Sequence, residues 1–230
     1  MELDPLDEEG LLAGAVQVPS PNCDERPGDA AVRLLVVHNI SLPPGQFGGE
    51  AIVQLFTNTL DFAAHPYYEA IRDLKVSAHF LVRRGGELIQ LVPCTKRAWH
   101  AGSSSWWGRE RCNDFSVGVE LEGADDQTYS DRQYARLAEL LVVLRRRYPI
   151  VDVVGHVDIA PGRKTDPGPA FDWGRFSPAK LRRRSSKLRL LLDNTPALVA
   201  HSRQDTICCG LGGNAPRTWF RRPPPGSAQK

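Results

Sequence analysis

Cysteine is scarce in this chain. Five occur in 230 residues (Cys23, Cys94, Cys112, Cys208 and Cys209), an odd number with no C-x-x-C pair. That pattern argues against a disulfide framework and against a cysteine-rich zinc site. Long apolar runs are missing too, since none approaches the roughly 18 residues of a spanning helix. The first residues, MELDPLDEEGLLAGAVQV, are acidic and lack both a basic n-region and a sufficient h-region. A secretion signal is therefore not expected, and the cytoplasm is the expected compartment. No charge sign dominates: 29 Lys and Arg face 27 Asp and Glu, which gives no case for nucleic acid or a membrane as partner. The basic cluster Arg145–Arg147 falls in the last turn of an expected helix, where cations favour the dipole and water. No internal repeat is found. What remains is a chain with 41% apolar residues, long enough for one sizeable core plus extensions.

The apolar pattern predicts an α/β domain. A short strand is expected near Gly14–Val18. Arg33–Val37 is a continuous apolar run ending at His38, the pattern of a strand buried on both faces. Helical spacing of Ile52, Leu55, Phe56 and Leu60 predicts a helix over Glu50–Asp61, and Pro66–Lys75 a second short one. His79–Arg83 and Glu87–Val92 flank Arg84-Gly85-Gly86 as a β-hairpin. Thr95–Asp114, dense in Trp, Gly and Ser, reads as loop. Phe115–Leu121 alternates, with Phe115, Val117, Val119 and Leu121 on one face and Ser116, Gly118 and Glu120 on the other. Ser130 and Gln133 make a capping box for a helix whose stripe is Tyr134, Leu137, Leu140, Leu141, Leu144 and Tyr148, stopped by Pro149. Ile150–Val154 is the last core strand, and Ser177-Pro178 starts a final helix. The expected organisation is an irregular lead-in over 1–14, a single domain over 15–187 with a central mixed β-sheet flanked by helices, and a weakly structured extension over 188–230.

Chemistry concentrates in GHVDIAPGRKTDPGPAFDW, Gly155–Trp173. Its prolines and glycines forbid regular structure, and it follows an apolar strand directly, as functional loops on rigid scaffolds do. His38 and His156 both sit after apolar strands. If those strands are neighbours, the two imidazoles share one edge of the sheet, and Asp166 supplies a third ligand from the loop. Two histidines and a carboxylate leave a fourth tetrahedral position open, as in catalytic zinc sites. Glu120, on the minority face of its strand, needs water, a partner or a task; beside a metal it is a candidate general base and acid. Lys164 is a candidate cation for a developing oxyanion. Together these point to amide hydrolysis. Taken singly, each also has an ordinary reading: a hydrogen-bonded structural histidine, a solvated glutamate, a surface lysine. His65, His79, His100 and His201 are the weaker ligand candidates, although His79 and His100 lie in segments that can line the cleft.

Five segments carry a family resemblance: VVHNISLPPGQFGG, AHFLVRRGGELIQLVP, RAWHAGSSSW, FSVGVELEG and the Gly155–Trp173 loop. In this order, over roughly Gly14 to Lys187, they resemble the AmpD family. Those are zinc-dependent N-acetylmuramoyl-L-alanine amidases of the peptidoglycan-recognition and phage-lysozyme amidase superfamily. The resemblance implies one Zn2+ held by His38, His156 and Asp166, with catalytic roles for Glu120 and Lys164. It implies the small-molecule substrate 1,6-anhydro-N-acetylmuramyl-peptide, cut at its lactyl–L-alanine amide in the cytoplasm during peptidoglycan recycling, by a monomer. Substrate contacts are expected at Asn39, Trp99, Arg111 and Ala160. An aromatic face suits a sugar or peptide, a guanidinium fork suits a stem-peptide carboxylate, and Ala160 offers backbone; loop packing is the competing reading of Trp99. Some superfamily relatives bind peptidoglycan without cutting it, so a recognition module is the alternative. The complete ligand triad with Glu120 and Lys164 favours an enzyme.

Overall fold

Strands form where the apolar runs lie, and the sheet they make determines where the histidines stand. The computed structural model describes residues 3–28, 30–176 and 199–200. In chain order the strands are β1 (Val16–Gln17), β2 (Cys23–Glu25), β3 (Leu34–Ile40), β4 (Phe80–Val82), β5 (Leu88–Gln90), β6 (Lys96–Ala98), β7 (Ser105–Trp106), β8 (Arg109–Glu110), β9 (Ser116–Glu122), β10 (Asp152–Gly155) and β11 (Val199–Ala200). The helices are α1 (Ala51–Phe56), α2 (Pro66–Ala70), α3 (Asp131–Arg147) and α4 (His156–Ile159). Seven strands form one sheet in the order β1-β5-β4-β9-β3-β10-β11. The sheet is mixed: β4 and β5 are antiparallel, whereas β3 runs parallel to both β9 and β10.

Both faces of the sheet are covered, which explains why its central strands are apolar throughout. One face packs Leu35, Val37, Val117, Val119, Leu121 and Val153 against α3 through Leu137, Leu140, Leu141 and Leu144. Each such fully buried leucine contributes on the order of 1.5–3 kcal/mol. The start of α3 is the expected capping box: Ser130 Oγ accepts from the Gln133 N–H at 3.2 Å, and Gln133 Oε1 accepts from the Ser130 N–H at 3.1 Å. The opposite face carries Leu34, Val36 and Val154 under Ala101, Cys112, Phe115 and Ile159. On the flank, Leu81 and Ile89 meet α1. The lead-in is irregular yet part of the core, with Leu12 fully buried and its N–H donated to Gln90 Oε1.

Several elements differ from expectation. Strand β3 does not stop at His38; its ladder with β9 continues through Asn39↔Leu121 to Ile40↔Glu122. Helix α1 ends at Phe56 because the Thr57 hydroxyl returns to the Val53 carbonyl at 2.9 Å and Asn58 takes a φ of 60°. Helix α2 ends at Ala70, five residues before the expected limit. Thr95–Asp114 is not simply loop: β6 pairs with β2, β7 with β8, and Cys112–Phe115 forms a 3-10 turn. Strands of two or three residues carry too little alternation to read from sequence. The helix expected from Ser177-Pro178 lies outside the described residues, as does the 188–230 extension apart from β11.

Candidate metal centre and active site

One rung of the sheet assembles most of the site. His38 on β3 is the register partner of Glu120 on β9, and Glu120 is in turn the partner of Leu81 on β4. Gly155, the last residue of β10, is the partner of Val37. His156, one residue further on, therefore stands level with His38. Directly opposed residues of neighbouring strands lie about 5 Å apart on the same face, so His156, His38 and Glu120 form a row. That row is on the face of Leu34 and Val36, away from α3, beneath the segment running from Trp99 to Phe115.

Asp166 reaches the row from the loop that follows α4. The turn is built from backbone bonds: Arg163 and Lys164 N–H to the Ala160 carbonyl, both at 3.1 Å, and the Val157 N–H to the Asp166 carbonyl at 3.0 Å. The loop is then clamped. Pro167 O accepts from Tyr129 Oη at 2.7 Å and from Asn39 Nδ2 at 3.0 Å, Asn39 Nδ2 also donates to Asp125 Oδ1 at 2.8 Å, and the Ala170 N–H donates to the Asp125 carbonyl. Two close approaches demand glycine. A Cβ on Gly155 would lie 2.7 Å from Pro167 Cδ, and one on Gly168, at φ 79°, would lie 2.3 Å from Asp125 Cα.

The result is a triangle of ligand atoms. His38 Nδ1 is 3.0 Å from His156 Nδ1 and 3.0 Å from Asp166 Oδ2, and His156 Nδ1 is 3.1 Å from the same oxygen. Burial pushes His38 down to about 4, against the pull of Asp166. Burial pushes the Asp166 carboxyl up, but the close His156 and His38 imidazoles hold it well below the usual carboxylate range. His156 donates Nε2–H to the Ala101 carbonyl at 3.1 Å, so in the neutral ring its Nδ1 presents a lone pair to a carboxylate oxygen. Such an edge repels unless a cation sits between its ends. A tetrahedral zinc with bonds of about 2.0–2.1 Å has ligand–ligand edges of about 3.3 Å, close to the edges of this triangle. Two imidazoles and one carboxylate are also a set that zinc accepts. The residues fit the ion.

Beside the triangle, two glutamates of β9 differ sharply. Glu122 is saturated, accepting from the Gly48 N–H at 2.7 Å, the Arg84 N–H at 3.0 Å and Arg83 Nη1 at 3.3 Å. Glu120 is also buried, yet its Oε2 finds no hydrogen-bond partner among the described residues. Burial, with the Asp166 charge adding to it and Lys164 opposing it, raises the Glu120 carboxyl well above its ordinary value. A buried acceptor left unmade costs about 1–3 kcal/mol, and such exceptions concentrate at functional sites. Lys164 acts electrostatically on both Glu120 and His38, which places its charge on the site.

The four expected substrate contacts do not converge. Arg111 and Ala160 line one groove of about 390 Å³ with Ser104, Glu110 and Arg163. Arg111 is exposed and ion-pairs only loosely with Asp114, at 3.4 Å. Trp99 is half-buried, its N–H given to Ser77 Oγ and its indole paired with Asp24. The Asn39 amide is engaged in the loop clamp. Sequence reasoning gave no role to Asn113, Ser116, Asp125 or Tyr129, and counted His100 among the weak ligand candidates. His100 makes no edge of the triangle; its Nδ1 lies 3.0 Å from His38 Nε2 and its Nε2 3.2 Å from Ser116 Oγ. Burial among other imidazoles holds it well below its usual value, hence neutral. The one available hint was that Ser116 and Gly118 share a face with Glu120, leaving room for a ring.

A profile of the N-acetylmuramoyl-L-alanine amidase family matches residues 28–169. The 1,6-anhydro-N-acetylmuramyl-L-alanine amidase AmpD of Citrobacter freundii is 60% identical over 171 residues, covering 74% of this chain and 91% of that protein. The protein of the same name from Haemophilus influenzae is 48% identical, over 74% of this chain and 94% of its own length. Among solved structures, a selenomethionine derivative of AmpD superposes with a TM-score of 0.72 at 60% identity, covering 76% of this chain and 97% of that one.

Proposed function

The chain belongs to the N-acetylmuramoyl-L-alanine amidase family, and from that premise we propose that it hydrolyses the amide between the lactyl group of 1,6-anhydro-N-acetylmuramic acid and L-alanine in muropeptides. The observation that carries this reading is the pairing of a closed ligand triangle (His38, His156, Asp166) with Glu120, a buried carboxylate on the rung of His38 whose Oε2 has no partner among the described residues. We assign one zinc ion to the triangle. When bound, zinc supplies Lewis acidity and brings the pKa of a coordinated water towards ~7.

The rest of the mechanism belongs to the chain's own side chains. Glu120 has a raised proton affinity and a free oxygen, so it takes the proton of the attacking water and returns it to the leaving amine of L-alanine. Lys164 places a cation where negative charge develops on the former amide oxygen. The Arg111–Ala160 groove next to the loop takes the stem peptide, with the guanidinium suited to its carboxylates. Trp99, half-buried, offers an aromatic face to sugar or peptide. Asn39 spends its Nδ2 on Pro167 and Asp125, so its amide N–H groups would reach substrate only by releasing one of them. No helix among the described residues is long and apolar enough to cross a membrane. We place the enzyme's action in the cytoplasm, on muropeptides released in peptidoglycan recycling.

A recognition module that binds without cutting has no use for an unsatisfied buried carboxylate beside the ligands, so the enzyme reading is preferred. The test is release of L-alanyl peptide from anhydro-muropeptide by the purified chain, before and after chelation and with zinc restored. Zinc-restorable release is expected. Intact muropeptide binding without release, in a zinc-loaded chain, would return the recognition module.

A further inference from the structure

The segment between β6 and β7 touches both ligand imidazoles on the side away from the triangle. His156 Nε2 meets the Ala101 carbonyl at 3.1 Å, and His38 Nε2 meets His100 Nδ1 at 3.0 Å. One side chain holds these two neighbours in place: Asn113 Oδ1 accepts from the His100 N–H at 3.2 Å and from the Ala101 N–H at 2.8 Å. Arg163, from the Asp166 loop, also donates to the Ala101 carbonyl at 2.8 Å.

Proton directions along the His100 branch can be read from its far end. The Cys112 carbonyl can only accept, so its 2.6 Å contact with Ser116 Oγ uses the one hydroxyl proton. His100 Nε2, facing that hydroxyl oxygen at 3.2 Å, must then donate to it. A neutral imidazole with its proton on Nε2 has a lone pair on Nδ1, so His38 Nε2 must donate to His100. His38 is left with a lone pair on Nδ1, the atom that forms the triangle. The sheet makes room for this arrangement: a Cβ on Gly118 would lie 2.4 Å from His100 Cγ.

We propose that the His100–Ala101 segment, held by Asn113 and Ser116, is the positioning element of the metal centre: it fixes both ligand histidines as Nε2–H tautomers and points both Nδ1 atoms at the ion. The proposal rests on the zinc reading of the triangle. It makes His100 a positioning residue that never meets substrate, the kind of outer partner that orients metal-bound histidines elsewhere.

Nitrogen NMR of the full-length, zinc-free chain labelled with ¹⁵N-histidine tests the tautomers, and competition with a chromophoric chelator measures affinity for zinc alone. His38 and His156 are expected to carry their protons on Nε2. His100→Leu should release the His38 tautomer, leave that of His156, and weaken zinc binding by about 10–100-fold. His100→Asn puts an amide oxygen where Nδ1 was and should recover most of that loss. A His38 proton on Nδ1 in the unchanged chain would overturn the proposal, as would a folded His100→Leu chain with zinc affinity unchanged. Should His100→Leu fail to fold, Ser116→Ala is decisive. It is expected to mix the His100 and His38 tautomers and weaken zinc binding several-fold; no change in either would defeat the relay. An unchanged chain that binds no zinc defeats the metal reading, while its nitrogen spectra still decide the tautomers.

Discussion

Two glycines of the ligand loop share a backbone conformation and differ in surroundings, which makes them a matched pair. Gly162 has φ 77° and open space where a Cβ would go; Gly168 has φ 79° and the Asp125 backbone there, with Cα at 2.3 Å and O at 2.6 Å. Alanine at either position meets the left-handed penalty of roughly 1–2 kcal/mol. At Gly162 nothing else is disturbed. At Gly168 the new methyl must separate from Asp125 Cα to the ~3.5 Å of carbon–carbon contact, a displacement of about 1.2 Å. No rotamer change relieves it, because the obstacle is main chain. Overpacking of this kind adds about 1–3 kcal/mol, so Gly168→Ala should lose about 2–5 kcal/mol against about 1–2 for Gly162→Ala. Asp166 lies two residues upstream, tied through Pro167 to Asn39 and Tyr129. A shift near 1 Å exceeds the ~0.5 Å within which a ligand constellation must be held, so zinc affinity should fall at least about tenfold in Gly168→Ala and stay near its starting value in Gly162→Ala. Urea denaturation and chelator competition on the two variants give both numbers. Equal losses in stability and in zinc affinity would refute the idea that the loop is pinned against Asp125.

Glu120→Gln keeps shape and removes the base; turnover of anhydro-muropeptide should fall by about 10²–10⁴-fold with zinc content unchanged, and full activity would exclude Glu120 as the proton carrier. Zinc supplied at about 100 times its dissociation constant should stabilise the chain by about 2.7 kcal/mol, seen as a rise in Tm of roughly 5–10 °C for a domain of this size; His156→Ala should show no such rise. Ser130→Ala removes the hydroxyl half of the α3 capping box, leaving the backbone N–H to Gln133 Oε1, and should cost about 1 kcal/mol in denaturation without changing kcat. All residues of the metal centre and its clamp precede Phe176, so truncation after Lys187, which removes β11, should leave turnover unchanged; a large loss would tie the remaining chain to the site.

How much of this was legible follows from how each feature is encoded. The core strands and α3 announce themselves by period and cap, because Leu34–Val37 and the Tyr134–Leu144 stripe bury a continuous surface. Glu120 could be singled out as a candidate because a carboxylate on the minority face of an apolar strand needs water, a partner or a task, although a solvated glutamate is an equal reading until its company is considered. The register that sets it beside His38 is a property of parallel pairing between strands about 80 residues apart, and no local pattern encodes it. The same limit hid the outer partners. His100 looks from sequence like a third histidine competing for the metal, and only the contact of its Nδ1 with His38 Nε2 rather than with the triangle separates ligand from support. Asn39 misleads in the opposite way. Adjacent to a ligand, it suggests substrate, but residues 38 and 39 point to opposite faces of β3, and its amide is carried to the Asp125–Pro167 clamp. Chemistry that acts along one strand can be read from spacing. Chemistry that acts across strands requires the sheet: spacing marks His38, His156 and Asp166 as candidates, but their convergence and the groups that orient them come from strand pairing.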